Sequence, residues 1–469
     1  LGETAPIEQK AWEDIVDAAD RANDPGKFTA LVGWEWSSIP TGANLHRVVL
    51  TPADGATAKK FSPFGSDQSQ YPEDLWDWLD KTEGETGVEF IAIPHNSNIS
   101  KGYMFAETTL KGHKITADYA RRRVAREPIA EISQIKGDSE THPNVSPDDA
   151  FANFETYEFH IQKTGSKFTY PATPADYIRG ALKTGLKIEQ DVGVNPYKFG
   201  VIGSTDSHTG LSSAEEDNFM GKFARSTLPE NKRKLVISTS ADGVPPVTGW
   251  NMSASGLAAV WAPENTRQAI FDAFKRREVY GTTGPRMRVR FFGGWAFDAL
   301  SKDGGNIADV GYAAGVPMGS DLARPSKAGT SPEFLIQAVR DPSGANLDRV
   351  QVVKGWVTAD GETHEKVYDV AWAGDRQAGE DGQLPAVGDT VDRLTGRVSN
   401  TIGTPELITK WTDPAFVASE SAFYYVRVLQ IPTARHSLLD GIALGTGSPD
   451  EANEVIQERA YTSPIWYTP

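Results

Sequence analysis

Apolar residues recur in two patterns in the N-terminal half of the chain. Spacings of three and four residues are typical of helices with one buried face, and short continuous apolar runs are typical of buried strands. The first pattern predicts helices over 7–22, 71–81, 115–126, 175–187 and 264–277. The second predicts strands over 28–36, 46–50, 88–94, 129–135 and 199–203. This alternation favours βα units and a mostly parallel sheet.

The pattern changes near residue 286. From there, short alternating strands separated by Gly, Asp and Pro turns predict an all-β, sandwich-like module over 286–469. Its predicted strands include 287–292, 334–339, 350–354, 367–372 and 423–430. The α/β domain therefore covers 1–285, and within it residues 211–256 are rich in Gly, Ser, Pro and Asn. A long segment of this kind is typical of a functional flap.

Composition excludes several classes of function and site. The chain has 469 residues, of which 47 are basic and 63 acidic, and its net charge of −16 argues against nucleic acid as the main partner. The absence of cysteine excludes disulfides, thiolate zinc sites and a cysteine nucleophile. No apolar run reaches the roughly 18 residues that span a bilayer. We favour a periplasmic or secreted location over a cytoplasmic one because of the β module.

Five polar side chains lie at the ends or starts of the predicted strands: Glu35, His46, His95, Asp206 and His208. The Asp-x-His pair can point into one site, because residues i and i+2 of an extended chain share a face. Imidazole and carboxylate together suit Zn, Mn or Fe. Taken singly, Glu35 can be a buried carboxylate bonded to the backbone, and His46 a structural hydrogen-bonder.

The other histidines favour ordinary surface or core roles. They lie in predicted loops, helices and the β module: His113, His142, His160, His364 and His436.

Residues 33–35 (Gly-Trp-Glu), 93–96 (Ile-Pro-His-Asn) and 205–208 (Thr-Asp-Ser-His) resemble successive motifs of the PHP (polymerase and histidinol phosphatase) superfamily. Within it, the chain resembles most an uncharacterised bacterial domain-of-unknown-function branch. That further resemblance is carried by 195–200, 281–286 and 456–467.

The resemblance implies a distorted (βα)7 barrel that holds two or three divalent metal ions of Zn, Mn or Fe. Glu35 would be the bridging carboxylate, and His46, His95, Asp206 and His208 would be further metal ligands. The superfamily's His-x-His and Thr-Asp-His motifs are absent. We expect them upstream of Leu1, since a barrel without its first strands would expose a sheet edge.

Four further residues are candidates for substrate contact. Asn96 and Asn98 can donate to an oxyanion or form Asx turns. Tyr103 can line the pocket or simply pack. Arg286 can hold a phosphate or sulfate through two hydrogen bonds, or pair with a nearby carboxylate. Lys136, by contrast, belongs to a charged segment at the end of a predicted strand, and we expect it to be solvated rather than catalytic.

These features favour a metal-dependent hydrolase of phosphate esters that uses metal-activated water, with a small anionic ester as substrate. Phosphomonoesters and phosphodiesters are the first choice, and phosphonate and sulfate esters are near variants. The alternative is a non-catalytic binding protein on a decayed metallohydrolase barrel, which recognises a glycan or a partner through its β module. Amide hydrolysis ranks last, because a bridging carboxylated lysine at a strand end is not evident.

Overall fold

The computed structural model describes residues 5–157, 159, 170–237, 246–297, 306–380, 383–446 and 454–469. His160 and residues 238–245 of the predicted flap lie outside the described residues. The described remainder of 211–256 contains three 3₁₀ helices and one short α-helix, and its role as a flap stays a prediction.

The helices in the described part of the chain are α1 Ala5–Ala22, α2 Gly55–Ala58, α3 Pro72–Thr86, α4 Ala117–Arg126, α5 Ile178–Val192, α6 Pro229–Lys234, α7 Arg267–Lys275, α8 Ile307–Ala314 and α9 His436–Leu444. Five of these helices, α1, α3, α4, α5 and α7, match the predicted periodic segments, whereas α2, α6, α8 and α9 were not predicted. Local signals set their ends: α3 begins at Pro72 and is capped after Thr86 by Gly87, whose φ of 72° suits glycine. None of the described helices is both long enough and apolar enough to cross a lipid bilayer.

The N-terminal strands form two small sheets. The strands are β1 Val32–Trp36, β2 Arg47–Thr51, β3 Ile91–Pro94, β4 Ile129–Gln134, β5 Gly137–Asp138 and β6 Gly200–Gly203. The first sheet has the order β1-β2-β3 and is antiparallel throughout. The second has the order β5-β4-β6, and only its β4–β6 pair is parallel.

The predicted (βα)7 barrel is therefore wrong. A parallel barrel needs each strand to return through a crossover to a parallel neighbour, whereas β2 runs against both β1 and β3. No closed barrel occurs among the described residues. The apolar runs were misleading because the antiparallel sheet is covered on both faces: Trp12 and Trp76 pack in the core on one side, and Phe271 in the core on the other.

The remaining strands among the described residues are β7 Leu257–Val260, β8 Val279–Thr282, β9 Arg288–Gly294, β10 Gly315–Pro317, β11 Asp321–Leu322, β12 Glu333–Val339, β13 Leu347–Val357, β14 Thr363–Trp372, β15 Glu406–Thr412, β16 Ser421–Gln430, β17 Thr433–Ala434, β18 Val455–Ile456, β19 Arg459–Thr462 and β20 Ile465–Tyr467. They form an eight-stranded sheet, a four-stranded sheet and the two-stranded sheet β17-β18. The eight-stranded and four-stranded sheets share one core, in which Phe334 of β12 contacts Tyr424 of β16. The predicted β module also carries α8 and α9, so it is not purely β. The predicted boundary at 285 falls just after β8, which pairs with β19 in the larger sheet.

A buried ionic cluster joins the two parts of the chain. Arg179 of α5 and Arg427 of β16 both bind Glu140 and Asp149. The four N–O distances lie between 2.6 and 3.0 Å, and both guanidinium groups are fully buried. Tyr425 adds a hydrogen bond from its hydroxyl to Glu140 at 2.6 Å. We call these four charged residues the ionic cluster.

Candidate metal centre

Three of the predicted ligands meet at one edge of the antiparallel sheet. Glu35 lies near the end of β1, His46 precedes β2 directly, and His95 follows β3 directly. Because β1 and β3 both run against β2, their ends and the start of β2 share an edge. The backbone N–H of His95 donates to the carbonyl of His46 at 3.2 Å, which continues the ladder into the site.

The side chains of these residues, which we call the triad, face one another. Glu35 Oε1 lies 2.5 Å from His46 Nδ1 and 3.7 Å from His95 Nε2. One ligand atom from each residue lies within 4.8 Å of the other two. Two ligands on one zinc ion are separated by about 3 Å or a little more, given Zn–N bonds of about 2.0–2.1 Å. The spacing of the triad is therefore compatible with a single shared cation.

Burial and the neighbouring ionisable groups both shift the pKa values of the triad. Burial favours the neutral form of Glu35, but hydrogen bonds from His46 and His95 outweigh it and hold the pKa of the carboxyl well below its usual range. Burial lowers the pKa of His46. Burial also acts to lower the pKa of His95, but Glu35, Glu131 and Asp206 outweigh it and raise that pKa. A bound cation would likewise stabilise the charged carboxylate of Glu35.

Buried polar atoms around the triad lack partners within the described part of the chain. They are His46 Nε2, His95 Nδ1 and Oε1 of Glu131. Glu131 lies on β4 and is 4% exposed, while its other carboxyl oxygen accepts from the Ser204 hydroxyl. Burial raises the pKa of this carboxyl. Unpartnered buried polar atoms are rare in folded proteins, and two imidazoles with a carboxylate suit Zn, Mn or Fe. The residues present therefore fit a divalent metal.

Asp206 lies beside the triad and is bound by lysines. Lys136 contacts Oδ2 of Asp206, and Lys222 Nζ lies 3.0 Å from the same oxygen. Burial and the neighbouring Lys136 lower the pKa of Lys222 to about 8. Asp206 has a φ of 48°, the left-handed region that non-glycine residues seldom adopt. His208 lies 3.8 Å from Asp206 and its side chain is 44% exposed.

The five predicted ligands thus fall into two groups. Among the described residues, only Glu35, His46 and His95 form a group of three or more potential ligands within ligand distance of one another. Asp206 and His208 adjoin each other, and Asp206 acts on His95 through its charge.

The predicted substrate-contact residues lie in different surroundings. Asn96 follows His95, is fully buried with φ 52°, and neither polar atom of its side chain has a partner in the described structure. Asn98 is engaged in the fold, since it donates to the carbonyl of Lys136 at 3.0 Å and accepts from Ser139 at 3.1 Å. Tyr103 is 46% exposed. Arg286 pairs with Glu215 at 2.9 Å and lines a separate cavity.

Three residues of the site escaped prediction. Glu131 is a single carboxylate in an apolar strand, and that contrast is a usable signal. Lys136 was assigned to a solvated exit, but its side chain is 13% exposed and binds Asp206, so that assignment is wrong. Lys222 comes from the flap, where neither spacing nor pattern singles it out. His436, a buried histidine of α9 outside the site, bonds through Nε2 to the carbonyl of Met252 at 2.8 Å, and its Nδ1 has no partner in the described structure.

Comparisons with known proteins leave the activity open. No curated protein and no solved structure matches the chain. A family model described as "Protein of unknown function (DUF3604)" matches residues 2–469. The chain therefore belongs to the DUF3604 family.

Proposed function

We propose that the protein is a metal-dependent hydrolase of phosphate esters, with phosphonate and sulfate esters as related substrates. The observation that carries this proposal is the triad, in which two imidazoles and a carboxylate face one another at a sheet edge. The motif resemblance to PHP phosphoesterases supports the same reaction. The proposal does not depend on a barrel, because the antiparallel sheet positions the triad.

The triad would hold one divalent ion through Glu35, His46 and His95. A metal in such a site lowers the pKa of bound water and polarises the oxygen of an ester. Glu131 lies close enough to act on His95 through its charge, and its unpartnered Oε1 is available to accept a proton. Burial raises the pKa of this carboxyl, which suits general acid–base work.

The lysine pair would select an anionic ester. Lys136 and Lys222 bring two ammonium groups to the single carboxylate of Asp206, so this side of the site carries surplus positive charge. Their side chains are only 13% and 9% exposed, so solvent screens their charge little. A phosphoryl or sulfuryl group would find its counter-charge here. Asn96 would donate from its free amide to a non-bridging oxygen.

Metal content is the first test. We expect about one equivalent of Zn, Mn or Fe in protein purified without chelator, and a large loss of it in His95→Asn. His113→Asn changes an exposed histidine outside the site and is the matched control. Anomalous scattering should place the ion between Glu35, His46 and His95. Protein that takes up no metal, or that binds it equally after His95→Asn, would refute the proposal.

Substrate charge is the second test. A panel of p-nitrophenyl phosphate, bis(p-nitrophenyl) phosphate, p-nitrophenyl sulfate and neutral p-nitrophenyl acetate separates ester classes at constant leaving group. Lys222→Met should raise KM for the anionic esters about tenfold and leave the acetate unchanged, because one desolvated charge contact is lost. Lys234→Met removes an exposed charge of α6 and should have no effect. Turnover of the acetate alone would rule out the anionic-ester assignment.

A further inference from the structure

A second cavity of about 650 Å³ lies apart from the metal centre. None of its lining residues belongs to the triad or to the groups around Asp206. Its walls come from the flap near 215–217, the turn after β8, the loops at 341–345 and 396–400, the end of β16, and residues of β17, α9 and the segment between β18 and β19. A cavity of this volume is in the range of small-molecule sites.

Gln430 supplies an unsatisfied polar group on the cavity wall. It is the last residue of β16, is 2% exposed, and its Oε1 has no hydrogen-bond partner in the described structure. Oε1 of Glu216, another lining residue, is also buried and without a partner in the described structure. Both atoms are acceptors, so the cavity offers acceptors to a ligand that donates.

Among the described residues, five carboxyl groups line the cavity against one basic residue, Arg286: Glu215, Glu216, Asp217, Asp341 and Glu458. Burial raises the pKa of Glu216 to about 7 and that of Glu458 well above its usual range, and each carboxyl raises the other's proton affinity. The nearby Arg435 is already committed to Glu155 through two hydrogen bonds of 2.9 and 2.7 Å. Arg286 pairs with Glu215 and its side chain is 68% exposed, so it lies at the rim. A cation inside would favour the ionised form of both carboxyls, which burial and their mutual proximity disfavour.

The rest of the lining is apolar. Pro342, Val398, Ala434 and Leu439 form a hydrocarbon wall beside the acceptors. A bare metal ion would leave this wall and most of the volume unused. Calcium also takes six to eight oxygen ligands, whereas one oxygen of Glu216 accepts from the backbone of His436 and one of Glu458 accepts from Thr283.

We propose that this cavity binds a small organic ammonium compound with a short hydrocarbon portion. The ammonium group donates to Gln430 Oε1 and to Glu216, next to Glu458, and the hydrocarbon lies along Val398 and Leu439. This site does not depend on the hydrolase activity. It gives the chain a second ligand of opposite charge to the proposed substrate.

The test uses n-pentylammonium as probe and its uncharged analogue n-pentanol. Calorimetric titration of the full chain should detect n-pentylammonium at least tenfold tighter than n-pentanol. Glu216→Gln and Gln430→Met should each weaken the ammonium at least fivefold. Asp217→Asn, an exposed rim residue, is the matched control and should not. Equal binding of amine and alcohol overturns the proposal, as does binding of Ca²⁺ without the amine.

A tethered cation keeps the test decisive if the first variants fold poorly. Val398→Lys places an ammonium on the apolar wall, and Val398→Met adds similar length without charge. The lysine variant should have the higher melting temperature of the two and should no longer bind n-pentylammonium. If both variants melt alike and still bind the amine, the ammonium does not occupy this cavity.

Discussion

The ionic cluster and the triad both bring ionisable side chains together, yet their buried polar atoms are satisfied differently. In the ionic cluster, Arg179 and Arg427 share Glu140 and Asp149 through close contacts. In the triad, each imidazole leaves one buried nitrogen without a partner in the described structure. Buried charges that are paired hold elements together. A buried polar atom without a partner instead lowers the stability of the fold, and a bound ligand can remove that loss. We therefore regard the triad as a binding site and the ionic cluster as a structural clamp, and we refer to that cluster below as the clamp.

Arg427→Met would break the clamp and should have the largest effect on stability. Methionine leaves Glu140 and Asp149 with one guanidinium between them, and loss of a partner from a buried ion pair costs about 3–5 kcal/mol. Urea unfolding followed by circular dichroism measures this. Arg393→Met removes an exposed pair with Asp389, whose arginine side chain is 39% exposed, and should cost at most about 1 kcal/mol. Equal losses would mean that the clamp contributes no more than a surface pair.

Zinc should stabilise the triad and leave the clamp unchanged. A ligand present at 100 times its Kd adds about 2.7 kcal/mol to the free energy of unfolding. Calorimetry should show this gain for the wild type and for His113→Ala, but not for His46→Ala. In metal-free protein, His46→Ala should cost about 1–3 kcal/mol, because it removes the hydrogen bond to Glu35. A zinc-induced gain that survives His46→Ala would assign the ion to another site.

Asp138 lies beside the clamp, and its contribution to the free energy of unfolding should depend on pH. Burial, with the charge of Glu140, raises the pKa of Asp138 from 3.8 to about 8. Between these values the unfolded chain releases a proton that the folded protein keeps. The contribution of Asp138 is therefore full below about pH 4 and falls as the pH rises to about 8, by up to about 1.4 kcal/mol per pH unit.

Asp138→Asn removes this dependence. The amide stays neutral, so the variant should match the wild type near pH 4 and exceed its stability near pH 8. The difference between the two unfolding curves, measured from pH 4 to 9, isolates this carboxyl from the others. A variant that is less stable than the wild type at pH 8 would show that Asp138 is ionised in the folded protein.

The sequence predicted the triad better than it predicted the fold. Apolar runs that end in Glu35 and His95 marked a sheet edge, and that placement holds. The parallel arrangement failed because a strand buried on both faces has the same pattern whichever way its neighbours run. The ionic cluster escaped prediction because Glu140 and Arg427 are 287 residues apart, so no local spacing relates them.

Asn96 and Asn98 provide the same comparison between a polar side chain without partners among the described residues and one that is hydrogen-bonded. The expected effects on stability are the smallest. Asn98 makes two side-chain hydrogen bonds, so Asn98→Ala should cost about 1–3 kcal/mol. The Asn96 amide makes none in the described structure, and its φ of 52° suits glycine. Asn96→Gly should therefore change the free energy of unfolding by less than about 1 kcal/mol. If the amide serves the proposed reaction, kcat should still fall about 100-fold, as on loss of an oxyanion donor. Thermal unfolding and ester hydrolysis, measured on the same preparations, decide between the roles. A variant that loses stability but keeps kcat would place Asn96 with the structural residues.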